Sequence, residues 1–469
     1  MHSSALLGSD APRLAPVFTC YVQQGRNVGT LLPAVQPLIH LSRLELNMLR
    51  ELTHLQQLPS SGQMQQLLLT AVTPKWQSRQ QLALGHLTAL CELHLLQPPQ
   101  RYLALPDVPL ALQAGDVLPP SLTRLVLGDC QVASPLLPLQ QLQALSMDSS
   151  SMPAGQLLHL ARSLPKLNQL QLGYTEAGGV DAAAAAWSCL PVASLASDGV
   201  SWGSYSMQQL AKLGCCLTAL HLMDCRPLGC TAVQLGGVLR QLLQLQQLSL
   251  GWVQLLEDDS KEDAAAEDGC CSSCSSCCDT TSSSSSSVSC SSVQTEAGSY
   301  SSTSAAKGSG DSGMQAVAAA IASLPLLHSL WIEHLLQPLG CAAAGQQQLL
   351  PLSLAAAQQL SAASSLTHLT LAACGVTDEA VATGICKLTG LQELVLDSNI
   401  GLGDAAAAEI GQQLRQLKYL SLNDTMITDA GVEGLVGLKQ LQGLSVAGTA
   451  VTEQALSQLA VRQAGQCGT

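Results

Sequence analysis

Four short stretches near the C-terminus decide the fold: LTHLTLAAC at 366–374, LQELVLDSN at 391–399, LKYLSLNDT at 417–425 and LQGLSVAGT at 441–449. Each follows one nine-position template, L-x-x-L-x-L-x-x ending in Cys, Asn or Thr, with Val446 standing in for one Leu. Their starts at Leu366, Leu391, Leu417 and Leu441 keep an almost constant period. In an extended chain successive side chains point to opposite faces. Positions four and six of the template therefore point one way and the residues between them the other. Each copy reads as a short strand with one apolar row and one variable row.

Working outward, the same template recurs at Leu122, Leu125, Leu127 and Cys130, and at Leu217, Leu220, Leu222 and Cys225. Looser copies start at Leu142, Leu167, Leu245 and Leu327, a degenerate one at Val192, and the earliest at Leu41 and Leu90. From Leu142 through Leu167 and Val192 to Leu217 the interval does not change. Between strands the pattern turns helical. Residues 404–414 read as a helix with Asp404 as its N-cap, and Asp378 opens a similar run through Val381, Ile385 and Leu388. Three buried Leu contribute roughly 1.5–3 kcal/mol each. Ordering the backbone costs about 1–2 kcal/mol per residue, so a lone repeat does not fold and neighbours must stack into a continuous core.

This pattern resembles the leucine-rich-repeat superfamily, from about Leu41 to Leu459 with one interruption. Residues 425–432, with the T-D-x-G turn Thr428-Asp429-Ala430-Gly431, resemble the cysteine-containing subtype. That subtype is common in F-box substrate receptors and ribonuclease-inhibitor-like horseshoes. The resemblance implies an α/β solenoid: a curved horseshoe with parallel strands on its concave face and helices or irregular turns on its convex face. The segment 1–40 is too short and too Pro/Gly-punctuated for an F-box helical module.

One interval breaks the rhythm. The step from Leu245 to Leu327 is more than three times the usual period. Residues 256–312 carry ten acidic groups against Lys261 and Lys307, which is −8 of the chain's formal −13. The segment is otherwise Ser, Cys, Gly and Thr, with few large apolar groups to offset ordering entropy, so a disordered insertion is expected. The chain thus divides into a partly disordered flank (1–37), repeats (38–255), the insertion (256–312) and further repeats (313–465). Within the insertion Cys270, Cys271, Cys274, Cys277 and Cys278 have a spacing that can wrap Zn or Cu(I). Nothing around them is apolar enough to supply a supporting shell, so no metal is expected. Ser260 and Ser276 each precede an acidic residue by three, as acidophilic kinases prefer.

Composition sets further bounds. Hydrophobic residues are 47% of the chain but aromatics only 3%, so the core is aliphatic. The net charge of −13 argues against nucleic acid, which requires clustered Lys and Arg. No run of about 18 apolar residues exists to span a membrane, no signal peptide opens the chain, and the 18 Cys lack framework spacing outside 270–290. A cytoplasmic location is expected, which includes the cytoskeleton or a ciliary axoneme. Cys130, Cys225 and Cys374 at position nine read as small buried residues of the turn. His94 and His221 fall between the two strand Leu, and His368 lies two residues earlier in its own repeat; together they form no catalytic set. With no phosphate loop, H-E-x-x-H or G-x-S-x-G motif, no enzyme activity, cofactor or small-molecule substrate is expected.

The expected function is a scaffold that binds a protein partner on the strand face. The alternatives are a substrate receptor for ubiquitin transfer and an assembly protein of the cytoskeleton or axoneme. Template positions three, five, seven and eight face the partner. They place Tyr174, His221, Asp224, Trp252, Trp331, Glu333, His368, Glu393, Asp397, Tyr419 and Asp424 there, with Arg124, Asp129 and Asp148 in earlier repeats. Trp252 and Trp331 become near neighbours once the insertion is looped out, and the acids around them favour a partner with basic groups.

Overall fold

The structure is a computed structural model that describes residues 191–256, 310–338 and 347–466 continuously. Before residue 191 it describes chiefly the strands and the turns leading into them. Most of the expected insertion, residues 257–309, lies outside the described residues, and so does the Cys270–Cys278 cluster.

In chain order the strands are β1 (Val17–Tyr21), β2 (Arg43–Leu49), β3 (Gln66–Val72), β4 (Glu92–Leu96), β5 (Leu110–Leu112), β6 (Arg124–Gly128), β7 (Cys130–Val132), β8 (Ala144–Asp148), β9 (Gln169–Gly173) and β10 (Ser194–Asp198). They continue as β11 (Ala219–Met223), β12 (Gln247–Gly251), β13 (Ser329–Glu333), β14 (Leu336–Pro338), β15 (Gln347–Leu349), β16 (His368–Ala372), β17 (Glu393–Val395), β18 (Tyr419–Ser421) and β19 (Gly443–Ser445). Fifteen of them form one sheet in chain order. Two small pairs, β5 with β7 and β14 with β15, stand outside it. Every neighbour in the large sheet is parallel, and register places position four of each repeat in a single row of Leu that runs unbroken from Leu44 to Leu444. These side chains are almost wholly buried up to Leu420.

The sheet begins earlier than the template does. β1 pairs with β2, setting Phe18 opposite Leu44 and Cys20 opposite Leu46. β3 is a second addition, with buried Met64 in place of the first template Leu. β12 pairs directly with β13, Leu248 opposite Leu330, so the long interval between their repeats leaves the ladder intact.

From residue 204 onward the returning segments are helical: Ser204–Leu210, Ala232–Leu239, Gly310–Ala322, Leu354–Leu360, Asp378–Thr383, Asp404–Gln413, Asp429–Gly434 and Glu453–Gln466. Hydroxyl caps start several of them. Thr231 and Gln234 form a reciprocal capping box, and Ser353, Thr377 and Thr428 each accept a hydrogen bond from a first-turn N–H. Asp404 departs from its expected role as a cap. The N-cap is Gly403, and Asp404 is the first helical residue. Its carboxylate instead accepts from the backbone N–H and the hydroxyl of Thr428 in the next repeat, both at 2.7 Å. Asp378 accepts likewise from the Gly403 N–H, and Asp429 from Thr452. These aspartates tie each repeat to the next behind the sheet.

Position nine does the same job inside the turn. Cys130, Cys225 and Cys374 are buried, and each thiol donates to the position-seven carbonyl of its own repeat and the position-six carbonyl of the previous one. Burial pushes the Cys225 thiol up to about 11 and the Cys374 thiol up to about 12, so both stay protonated and unreactive at neutral pH. The degenerate repeat at Val192 has Ser197 where other repeats carry an apolar residue. Trp202, 1% exposed, fills that space and donates from its indole N–H to the Ser197 hydroxyl at 2.9 Å.

Candidate protein-binding face

Position eight is the conformational signature of the strand face. Asp224, Trp252, His334, Ala373, Ser398 and Asp424 all have positive φ, as do Gly199 and Gly448 in the flanking repeats. The left-handed turn lets the position-eight N–H reach the position-seven carbonyl of the next repeat: Gly199 to Met223, Asp224 to Gly251, Trp252 to Glu333 and Ala373 to Asp397, at 2.8–2.9 Å. Most repeats fill this position with Gly or a small or short polar residue. Among the described residues Trp252 at φ 53° and His334 at φ 47° are bulky side chains in this conformation. A large side chain in this region costs of order 1–2 kcal/mol, which local contacts must offset.

Those contacts are present. The Trp252 indole stacks on the His334 ring with centroids 3.9 Å apart and planes inclined by 15°. Its Nε1 donates to Glu333 at 3.2 Å. The Arg226 guanidinium carbon lies 5.2 Å from the Trp252 ring centre, within cation–π range. Arg226 Nε is held by Asp224 at 2.7 Å and by the Trp252 carbonyl at 3.2 Å. His334 Nδ1 stands 3.6 Å from the Glu333 carboxylate, too far for a hydrogen bond, and has no hydrogen-bond partner. Burial pushes the His334 imidazole down, Glu333 opposes that shift, and Arg226 reinforces it. His221 is likewise pushed down by burial and contacts the Ser249 hydroxyl at 2.8 Å. Asp198 is pushed up by burial, with Asp224 and Asp148 adding to the shift.

The two tryptophans lie on adjacent repeats, since Ser249 of β12 pairs with Trp331 of β13. They do not play the same part. Trp252 is engaged by His334, Glu333 and Arg226. Trp331 occupies the middle outward position of its strand, between Ser249 and Thr370. Trp331 is 42% exposed, Trp252 38% and Tyr419 41%. His368 and Glu393 face each other across β16 and β17, 3.9 Å apart and half-exposed. Asp224, Glu333 and Asp424 flank this group, Asp424 being exposed.

Other expected face residues have partners of their own or lie outside the described residues. Asp397 is committed to the fold: its carboxylate accepts from the Ser421 hydroxyl at 2.7 Å and from the Asn423 backbone and side-chain amides at 2.9 and 3.1 Å. Arg124 pairs with Glu92, which also meets His94. Asp148 ends β8. Tyr174 and Asp129 fall outside the described residues. The template reading passes over His334 and Arg226. His334 sits in the same template column as Trp252 and is legible there. Arg226, at position ten, lies outside the template and carries no signal.

Among the described residues no group of three or more His, Cys, Asp or Glu is placed to hold a metal ion, and no helix is long and apolar enough to cross a membrane.

No family model matches this sequence, and no curated protein is significantly similar to it. Solved structures do match. The protein in the TLR13–ssRNA13 complex aligns with a TM-score of 0.51 at 16% identity, over 90% of this chain and 49% of that one. This chain therefore spans about half the length of that protein. An internalin from Listeria monocytogenes aligns with a TM-score of 0.40 at 16% identity, over 88% of this chain and 82% of that one. A leucine-rich-repeat protein of Leptospira interrogans gives 0.35 at 15% identity, over 91% and 88%. With its parallel, unclosed sheet and its repeat, the molecule is an α/β leucine-rich-repeat solenoid.

Proposed function

We propose that the protein is an interaction scaffold that binds a protein partner on the strand face, centred on Trp331. The observation that carries this reading is the half-exposed indole on a chain almost devoid of aromatics, held on a parallel sheet whose same face also carries Tyr419. Trp and Tyr dominate binding hot spots, because they bury much area for little lost side-chain freedom. The TLR13 structure is of a complex with single-stranded RNA. Here Asp224, Glu333, Glu393 and Asp424 line the face, none of the strands β11, β12, β13 or β16 to β19 contains Lys or Arg, and Arg226 beside them is already held by Asp224. Such a surface repels phosphate and favours protein. The ubiquitin-ligase-receptor and cytoskeletal or axonemal alternatives differ in the partner, not in the face used. The insertion at 256–312 is proposed to be a loop dispensable for folding.

The test is proximity labelling in the native cell to find the partner, followed by binding isotherms with Trp331→Ala and, as a control, Gln412→Lys on the exposed side of a helix. Trp331→Ala is expected to weaken binding at least tenfold, about 1.4 kcal/mol or more, with unchanged melting. Wild-type affinity for Trp331→Ala together with weakened binding by Gln412→Lys overturns the proposal.

A further inference from the structure

We infer that the partner places an arginine side chain on the Trp331 indole, beside the Glu333 carboxylate. This rests on the strand face being the binding surface, and it names the chemistry that the face recognises.

The reasoning starts from what the molecule already does one strand away. At Trp252 the chain builds a complete cation–indole unit from its own residues. Arg226 supplies the guanidinium 5.2 Å from the ring centre, Asp224 holds that guanidinium at 2.7 Å, and His334 stacks at 3.9 Å. Trp331 offers an indole and a carboxylate two residues away. Its indole is half-exposed. Glu333 lies two residues along β13, on the same face by strand alternation. Trp331's own row continues through Thr370 to Val395, and the half-exposed Glu393 lies one row over on β17, opposite His368 at 3.9 Å. The strands β11 to β13 and β16 to β19 contain no Lys or Arg, and nearby Arg226 is held by Asp224 and the Trp252 carbonyl. A side chain seated there must tolerate an aromatic face and carboxylates together. A planar guanidinium does both: it stacks on the ring and directs its N–H groups edgewise to an acid. An aliphatic side chain would cover the indole but leave the carboxylates uncompensated, and an acidic one would be repelled.

The probe is a random-peptide display library panned against the full-length wild-type protein. Each selected peptide is then measured by isothermal titration in four settings: on wild type, on Trp331→Ala, on Glu333→Gln, and on wild type with each peptide arginine replaced by citrulline. Glu333→Gln keeps an acceptor for the Trp252 indole N–H and removes only charge. The expected result is a peptide set carrying a shared arginine. Its replacement by neutral, isosteric citrulline should cost at least tenfold, Trp331→Ala at least tenfold, and Glu333→Gln several-fold, with the wild-type melting temperature kept by Glu333→Gln. Peptides that require Trp331 but tolerate citrulline overturn the arginine assignment and leave the scaffold proposal standing. Peptides indifferent to Trp331→Ala, or the absence of any selectable peptide, overturn both.

Discussion

Two stretches of the same strand face use their polar residues in opposite ways. In the last repeats Asp397, Ser421, Asn423 and Ser445 form a continuous ladder. Asp397 accepts from Ser421 and Asn423, and Asn423 in turn accepts from the Ser445 hydroxyl and the Ala447 backbone, at 2.7–3.1 Å throughout. Earlier in the sheet the same two columns hold Glu333 and Trp331, with Trp252 and His334 in the adjoining position-eight column and both indoles partly open to solvent. Both regions are polar, and both belong to one unbroken sheet. The difference lies in whether donors and acceptors are already satisfied. A satisfied ladder fixes the spacing of repeats and has little left to offer a partner. The central group meets only part of its bonding capacity from within and keeps an aromatic surface exposed. Charge on the strand face is therefore a poor guide to binding unless the internal partners of each group are known.

The most disruptive way to break this comparison is to remove a satisfied group. Asn399 at position nine is wholly buried. Its carbonyl accepts from the backbone N–H groups of Cys374 and Val376, both at 3.0 Å, and its amide donates to the Leu371 and Leu396 carbonyls at 2.7 and 2.8 Å. Asn399→Ala strands several buried backbone groups, each costing about 1–3 kcal/mol when unpaired. We expect a loss of about 3 kcal/mol or more, read as a lower urea midpoint at similar slope. Asn399→Cys should lose less, because Cys at this position in three other repeats bonds the carbonyl equivalent to that of Leu371. Equal loss for Ala and Cys would show that the position senses volume and not hydrogen bonding.

Much of the scaffold is legible from side-chain periodicity alone. The Leu row and the continuity of the sheet across the long interval follow from the template, since parallel strands need only matching apolar positions. Two strands escape it because other apolar residues hold the Leu places: Phe18 and Cys20 in β1, and Met64 before β3. Asp404 is misread as a cap because a capping residue and a first-turn acid look alike in sequence. The site is less legible than the scaffold. The template reads Asp397 at position seven and Asp424 at position eight alike as face residues, although the first is bonded internally and the second is exposed. The left-handed turn at position eight is a backbone property that Trp252 and His334 do not advertise.

A pH titration separates the two stretches more gently. His221 and His334 belong to the central group, and burial pushes both below the ordinary histidine value. The stretch 369–469 contains no His at all. A histidine whose folded pKa is depressed binds protons more readily when unfolded. Its stabilising contribution is therefore present above pH ~6.5 and is lost as pH falls below that value. Melting temperature measured from pH ~7.5 down to ~5 should fall more steeply in wild type than in a His221→Gln/His334→Gln double variant. Parallel profiles would mean that neither ring titrates differently in the folded chain.

The smallest expected effect tests the left-handed column itself. Ala373 has φ 48°, and its position is filled by Gly in two other repeats. Ala373→Gly removes a Cβ from a conformation that L residues resist, while adding freedom to the unfolded chain. The first effect outweighs the second where φ is positive, so a gain of about 0.5–1 kcal/mol is expected. Trp252→Gly relieves the same backbone strain but surrenders the His334 stack, the Arg226 contact and the hydrogen bond to Glu333. A stacked aromatic pair contributes about 0.5–1.5 kcal/mol and an exposed cation–π contact about 0.5–1 kcal/mol, so Trp252→Gly should be net destabilising by about 1 kcal/mol. Opposite signs for one substitution in one column, read from urea midpoints, would show that contacts hold Trp252 against its backbone preference. A gain in both would mean that the Trp252 stack contributes less than the strain it sits on, and that the central group survives in the fold for reasons other than stability.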